Sequence, residues 1–169
     1  LELNATGPVK AEYTIIDPYP QFFIDSGLTQ LTKLLEQRVE LLKPEFFQQL
    51  DRNDVLFIDS GHTVRIGSDI NFLMLEVLPL LRPGVLVHFH DIPMPYEYAE
   101  VYLTNPAFRM LWTESYLLQA FLCFNEQFEV LLALSYLMQE QLEQFRKAFQ
   151  HYNPALHKAG SGSFWIRRK

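Results

Sequence analysis

Three apolar runs in this chain stop on an acid. They are Tyr13-Thr-Ile-Ile-Asp17, Asp54-Val-Leu-Phe-Ile-Asp59 and Val85-Leu-Val-His-Phe, which runs into His90-Asp91. A carboxylate that directly follows an apolar run stands at the end of a buried strand, where open parallel sheets bind their ligands. Asp59 and Asp91 close consecutive runs, and a right-handed crossover would set them side by side. Two such carboxylates can share a hard divalent cation, which takes oxygen ligands. His62 and His90 lie close to the same edge, and a neutral imidazole there can accept a proton near neutral pH. Taken singly, an Asp at a strand end is as often a turn or cap residue, and a lone loop His is more often structural. The combined pattern, Asp-x-x-His after one strand and His-Asp after the next, is more specific than its parts.

The elements that must position these groups follow from periodicity. Tyr13–Asp17 reads as a buried strand stopped by Pro18 and Pro20. Thr29–Gln37 reads as a helix with Leu31, Leu34 and Leu35 on one side, and Glu45–Leu50 as a short helix facing inward through Phe46, Phe47 and Leu50. Asp54–Asp59 is apolar throughout, as expected of a parallel strand covered on both faces. From Ile66 the positions Ile70, Leu73, Val77 and Leu81 step at helix period, and Arg82-Pro83-Gly84 ends the helix. Val85–Phe89 is the next strand. Pro93–Pro106 is the expected long loop, and its Tyr96, Tyr98 and Tyr102 are candidates for a substrate wall. Ser115–Phe124 reads as a helix, Phe128–Leu134 as a strand, and Met138, Leu142, Phe145 and Phe149 as one helix face, with a Glu143–Lys147 pair on the other. Ser163–Arg168 is a final strand, entered through the Gly160-Ser161-Gly162 turn. Asp69 and Glu76 read as solvated or capping residues, and Cys123 as a small buried hydrophobe. The alternation of strands and helices gives an α/β fold with a largely parallel sheet.

The chain has 169 residues, 49% of them hydrophobic, and a formal net charge of −6. That suits one domain over residues 1–169 and argues against disorder. The acidic balance speaks against nucleic acid or anionic lipid as a partner, and no run of about 18 apolar residues speaks for a membrane span. One cysteine excludes an internal disulfide framework. Neither a Gly-x-Ser-x-Gly elbow nor a His-Glu-x-x-His zinc helix occurs. The opening Leu-Glu-Leu-Asn-Ala-Thr-Gly-Pro lacks the basic and apolar regions of a signal peptide, and the expected location is cytoplasmic.

The block from Asp54 through Asp59-Ser-Gly-His62, a helix, and Arg82-Pro-Gly to His90-Asp91-Ile92 resembles the fourth and fifth strands of class I S-adenosylmethionine-dependent methyltransferases. The subgroup it resembles carries Ile-Asp-x-x-His and His-Asp-Ile signatures. Tyr13–Asp17 is similar to that family's second strand, and Gly162-Ser-Phe-Trp-Ile-Arg to its closing antiparallel strand. The resemblance implies a Rossmann-like, mostly parallel sheet with an antiparallel C-terminal strand, and O-methylation of a hydroxyl on a small molecule or glycan. It implies that Asp17 binds the cofactor's ribose, with Asp59 also at the cofactor, and that His62 is the general base. From related metal-dependent sugar O-methyltransferases it implies Mg²⁺ held by Asp59 and Asp91, with His90 beside them where those enzymes have an acid. The family's strands run in the order third, second, first, fourth, fifth, seventh, sixth. Its first strand and Gly-x-Gly loop should precede Tyr13, where about a dozen residues with Gly7 as the sole glycine stand. The sequence is therefore expected to be cut at its amino end, to bind S-adenosylmethionine weakly by itself, and to self-associate through an open strand edge. The rival expectations are a non-catalytic assembly module of the same fold and a metal-dependent hydrolase.

Overall fold

The computed structural model describes residues 11–21, 32–107, 109–153 and 161–169. They fall into two compact units, Leu1–Lys43 and Pro44–Lys169. In the first, strand β1 (Thr14–Ile16) pairs in parallel with β2 (Lys33–Leu35), placing Ile15 opposite Leu34 and Ile16 opposite Leu35. This corrects the helix expected over Thr29–Gln37; residues 29–31 of that stretch lie outside the described residues. Three leucines fit a helical face, but so short a pattern cannot separate the two periods. Cross-strand packing against the β-branched Ile15 and Ile16 decides for the strand.

The second unit is built on a four-stranded sheet of β3 (Val55–Ile58), β4 (Leu86–Phe89), β5 (Phe128–Ala133) and β6 (Phe164–Arg168), in the order β3-β4-β6-β5. β3 and β4 are parallel, and β6 runs antiparallel to both of its neighbours. Three strands thus point one way and the last strand of the chain points the other. This is the expected mixed α/β sheet, and its order matches the fourth, fifth, seventh and sixth strands of the family resembled.

The crossover from β3 to β4 carries helix α1 (Asp69–Phe72), which continues through a π turn (Leu73–Val77) and a 3-10 turn (Leu78–Leu80). The Ser68 hydroxyl caps its start by accepting from Asn71 N–H at 3.3 Å. The widened turn lies just before Pro79, which has no N–H to continue the ladder. Ile70, Leu73, Val77 and Leu81 are all buried, as their period predicts. Ile66 is fully exposed because the helix begins three residues after it.

Alternation along the strands separates two sheet faces. Ile58, Val87, Phe89, Phe164 and Ile166 are buried with α1 and Leu118 in the core. The opposite face bears Val55, Phe57, Leu86, His88 and Trp165. There the His88 and Trp165 rings stack 4.2 Å apart, while Phe57 and Val55 are about half exposed. The expectation that β3 is covered on both faces is therefore corrected to burial on one.

Short helices complete the unit: α2 (Val101–Thr104), α3 (Glu114–Leu122), α4 (Leu134–Glu140) and α5 (Leu142–Ala148). The helix expected through Met138–Phe149 is broken at Gln141, and Glu143 pairs with Arg146 at 3.7 Å instead of with Lys147. Cys123 is exposed at the carboxyl end of α3 instead of buried.

One glycine has a steric role. A Cβ on Gly162 would stand 2.5 Å from Asp91 Cα, and the Gly162 carbonyl accepts from Ile92 N–H at 2.7 Å. The chain entering β6 therefore presses directly on the end of β4. Gly162→Ala is expected to destabilise the protein by about 1–3 kcal/mol, the usual cost of overpacking. A urea midpoint equal to wild type would contradict this close approach.

Candidate active site

Asp59, His62, His90 and Asp91 meet at the carboxyl ends of β3 and β4, where the sequence pattern placed them. The parallel register that sets Ile58 opposite Phe89 brings the two strand ends level. Asp59 Oδ1 lies 3.5 Å from His62 Nε2 and 3.6 Å from His90 Nδ1. His90 Nδ1 lies 3.3 Å from Asp91 Oδ1. These are ion-pair distances without hydrogen-bond geometry, for His90 Nδ1 is buried and has no hydrogen-bond partner among the described residues. Asp17 belongs to the other unit: its N–H donates to Leu35 carbonyl at 3.1 Å, and its Oδ1 accepts from Tyr19 N–H at 2.7 Å in an Asx turn.

Two of the four residues are held in left-handed backbone, His62 at φ 53° and Asp91 at φ 57°. For residues with a Cβ that costs about 1–2 kcal/mol each, so surrounding contacts must impose it. At Asp91 the contact is Gly162. At His62 it is the start of α3: the His62 carbonyl accepts from Thr113 N–H at 2.8 Å and from Glu114 N–H at 3.1 Å. The Thr113 hydroxyl accepts in turn from Val64 N–H at 2.7 Å. The loop after β3 is thus stitched to residues 113–114 by backbone and side chain together.

The strongest side-chain interaction in the site was not foreseen. Glu114 is wholly buried, and its Oε2 lies 2.8 Å from His62 Nδ1. The Ser60 hydroxyl donates to the same oxygen at 3.2 Å. A Glu in a first helical turn ordinarily complements the helix dipole at the surface, and nothing in its sequence neighbourhood marks it for burial. Trp112 packs on the other side of the imidazole, with ring centroids 4.3 Å apart. Tyr102 and Tyr98 then stand edge-on to Trp112 at 5.1 and 6.0 Å. Of the three tyrosines expected to form a wall, these two join the aromatic cluster beside the acids. Tyr96 instead turns its hydroxyl to Glu140 at 2.8 Å.

The electrostatics follow from burial and pairing. Burial pushes the His62 ring down, but the Glu114 hydrogen bond and charge, with the charges of Asp59 and Asp91, outweigh it and hold the ring above its ordinary 6.5. Burial pushes the Glu114 carboxyl above its ordinary 4.5, and the bonds from His62 and Ser60 offset this only in part. Burial likewise raises the Tyr98 hydroxyl, although its oxygen accepts from Ser115 N–H at 3.0 Å.

The metal expectation does not fit this arrangement. The group next to both carboxylates is the His90 ring, and among the described residues no three His, Cys, Asp or Glu side chains converge to hold an ion. Asp59 and Asp91 are half exposed and, among the described residues, pair with histidines but with no Lys or Arg.

A parallel strand pair with acids at its carboxyl ends and an antiparallel strand beside it is the arrangement of a Rossmann-like methyltransferase fold. Residues 2–92, over half of the chain, match the family model described as methyltransferase domain, and the chain belongs to that family. No match was found among curated proteins or among solved structures. The matched span contains Asp17, Asp59, His62, His90 and Asp91, while Trp112 and Glu114 lie beyond it. Among the described residues no helix is long and apolar enough to cross a membrane.

His62 and Glu114 both have raised values in the fold. A group of either kind stabilises the fold most fully below its unfolded value, and that contribution is lost as pH rises through the folded one. The stability of wild type relative to Glu114→Leu is therefore expected to fall as pH rises from about 4.5 to above 6.5. Urea titrations across that range check the sign; a relative stability that climbs with pH would be incompatible with this pairing.

Proposed function

We propose that this protein transfers a methyl group from S-adenosylmethionine to a hydroxyl of a small molecule or glycan, with His62 as general base. The methyltransferase-domain family supports the donor and the reaction class. The observation that carries the rest is the His62 imidazole, buried at the strand ends with Glu114 at Nδ1 and Nε2 turned toward Asp59. Bound S-adenosylmethionine supplies an electrophilic methyl on sulfur, and the C–S electron pair leaves with the neutral thioether. At the acceptor, the hydroxyl proton moves to His62 Nε2 while the oxygen's electron pair goes into the new O–C bond. Asp59 and Asp91 keep negative charge near the site and favour a cation there. Trp112, Tyr98 and Tyr102 give the acceptor an apolar wall that excludes water. Asp17, at the end of β1, takes the ribose hydroxyls, as the family resemblance implies. The hydroxyl acceptor and the subgroup with paired Ile-Asp-x-x-His and His-Asp-Ile signatures are part of this same reading. No step in it uses a metal.

The test is thioether production from S-adenosylmethionine by the full-length protein across a panel of hydroxyl acceptors. Removing a general base costs about 10²–10⁴-fold, so His62→Ala is expected to lose at least a hundredfold in rate. Glu143→Ala, on an exposed turn of α5, is expected to leave the rate as it was. Wild-type turnover in His62→Ala would remove His62 from the chemistry.

A further inference from the structure

The two nitrogens of His62 face different carboxylates, and only one of them is tightly bound. Nδ1 meets Glu114 Oε2 at 2.8 Å in a fully buried setting, whereas Nε2 is 3.5 Å from the half-exposed Asp59. A neutral imidazole carries one proton. With that proton on Nε2, the bare lone pair of Nδ1 would face the oxygen of an ionised Glu114 at hydrogen-bond distance, with no water to separate them. With it on Nδ1, the short bond is made and Nε2 is left bare at the strand ends.

From this geometry we propose that Glu114 is a positioning residue that fixes His62 as the Nδ1–H tautomer, making Nε2 the atom that takes the acceptor's proton. The proposal rests on the reading of His62 as base. Three features make the device specific. The N–H groups of Thr113 and Glu114 hold the His62 carbonyl, so one segment grips the backbone and the ring of the same residue. Trp112 closes the side of the ring 4.3 Å away and limits its rotation. Glu114 Oε1 is buried with no hydrogen-bond partner among the described residues. An isolated structural role would not explain that cost, since an apolar side chain of the same size would avoid it. When Nε2 takes the proton, the resulting imidazolium keeps its Nδ1–H bond to Glu114, and the carboxylate stabilises the new positive charge. The positioning residue lies outside residues 2–92, so the second half of the chain completes a base that the first half carries.

The experiment is ¹⁵N NMR of the histidine rings in the full-length protein, at a pH where His62 is neutral. Assignment comes from the signal lost in His62→Gln. The expected wild-type spectrum has Nδ1 protonated and Nε2 bare. In Glu114→Leu, which keeps the volume and removes the acceptor, the proton is expected to move predominantly to Nε2, with kcat falling at least tenfold and KM for S-adenosylmethionine unchanged. Should Glu114→Leu not fold, Glu114→Gln replaces it, with a mixture of tautomers expected. A wild-type Nε2–H signal, or an Nδ1–H population as large in the folded variant as in wild type, would overturn the proposal. The NMR readout needs no turnover. A correct tautomer with full activity in His62→Ala would overturn the base reading instead.

Discussion

The contact on which the site depends is the grip of residues 113–114 on His62. His62 sits in left-handed backbone, an unfavourable state for a residue with a side chain. Two N–H groups at the start of α3 hold its carbonyl, and the Glu114 carboxylate holds its ring. Fixing the carbonyl and the ring of one residue from one segment leaves the imidazole few ways to move. The arrangement also explains why a carboxylate can be buried at all. Glu114 accepts from a ring nitrogen and from the Ser60 hydroxyl, and both donors belong to the loop that follows β3. Loop and helix end therefore satisfy each other, and neither would keep this shape without the other.

A second constraint acts at the neighbouring strand end. Asp91 is also left-handed, and the chain entering β6 presses on it at Gly162. The antiparallel last strand is thus more than an edge to the sheet. It fills the place beside β4 and crowds the residue that follows it, which sets where the Asp91 carboxylate and the His90 ring stand. The rings of His62, itself strained, and of His90, next to the strained Asp91, are the two that flank Asp59. Local strain at both positions is consistent with a site whose geometry is imposed by packing from elsewhere in the second unit.

Much of this was legible in the residues. The runs ending in Asp59 and His90-Asp91 are strands, their intervening helix buries Ile70, Leu73, Val77 and Leu81, and Phe164–Arg168 is a strand, whose antiparallel direction came only with the family resemblance. These features repeat a strong local pattern, which a single sequence displays well. The failures have separate causes. Leu31, Leu34 and Leu35 offered too few turns to separate helix from strand, and pairing with Ile15 and Ile16 settled Lys33–Leu35 as a strand. Cys123 is exposed because α3 ends at Leu122, and an apolar neighbourhood in sequence does not fix which residue of a helix end faces water. Glu114 was missed because its partner is 52 residues away. A Glu at a helix start is ordinary, and only the three-dimensional meeting with His62 makes it unusual.

His90 is the residue at which this strand end departs from the metal-dependent enzymes it resembles. Where the related metal-dependent enzymes carry an acid beside the second strand-end carboxylate, this chain carries an imidazole. An acid there would add negative charge between Asp59 and Asp91, and a divalent cation would relieve the repulsion. Here an imidazole stands 3.6 Å from one carboxylate and 3.3 Å from the other, and adds no such charge. His88, two residues earlier on β4, has its own ring pushed below the ordinary value, by burial first and then by the charge of His90. Among the described residues, His62 is set apart from His88 and His90 by a buried carboxylate of its own, Glu114, 2.8 Å from Nδ1, and it is the ring that exchanges a proton in the proposed reaction.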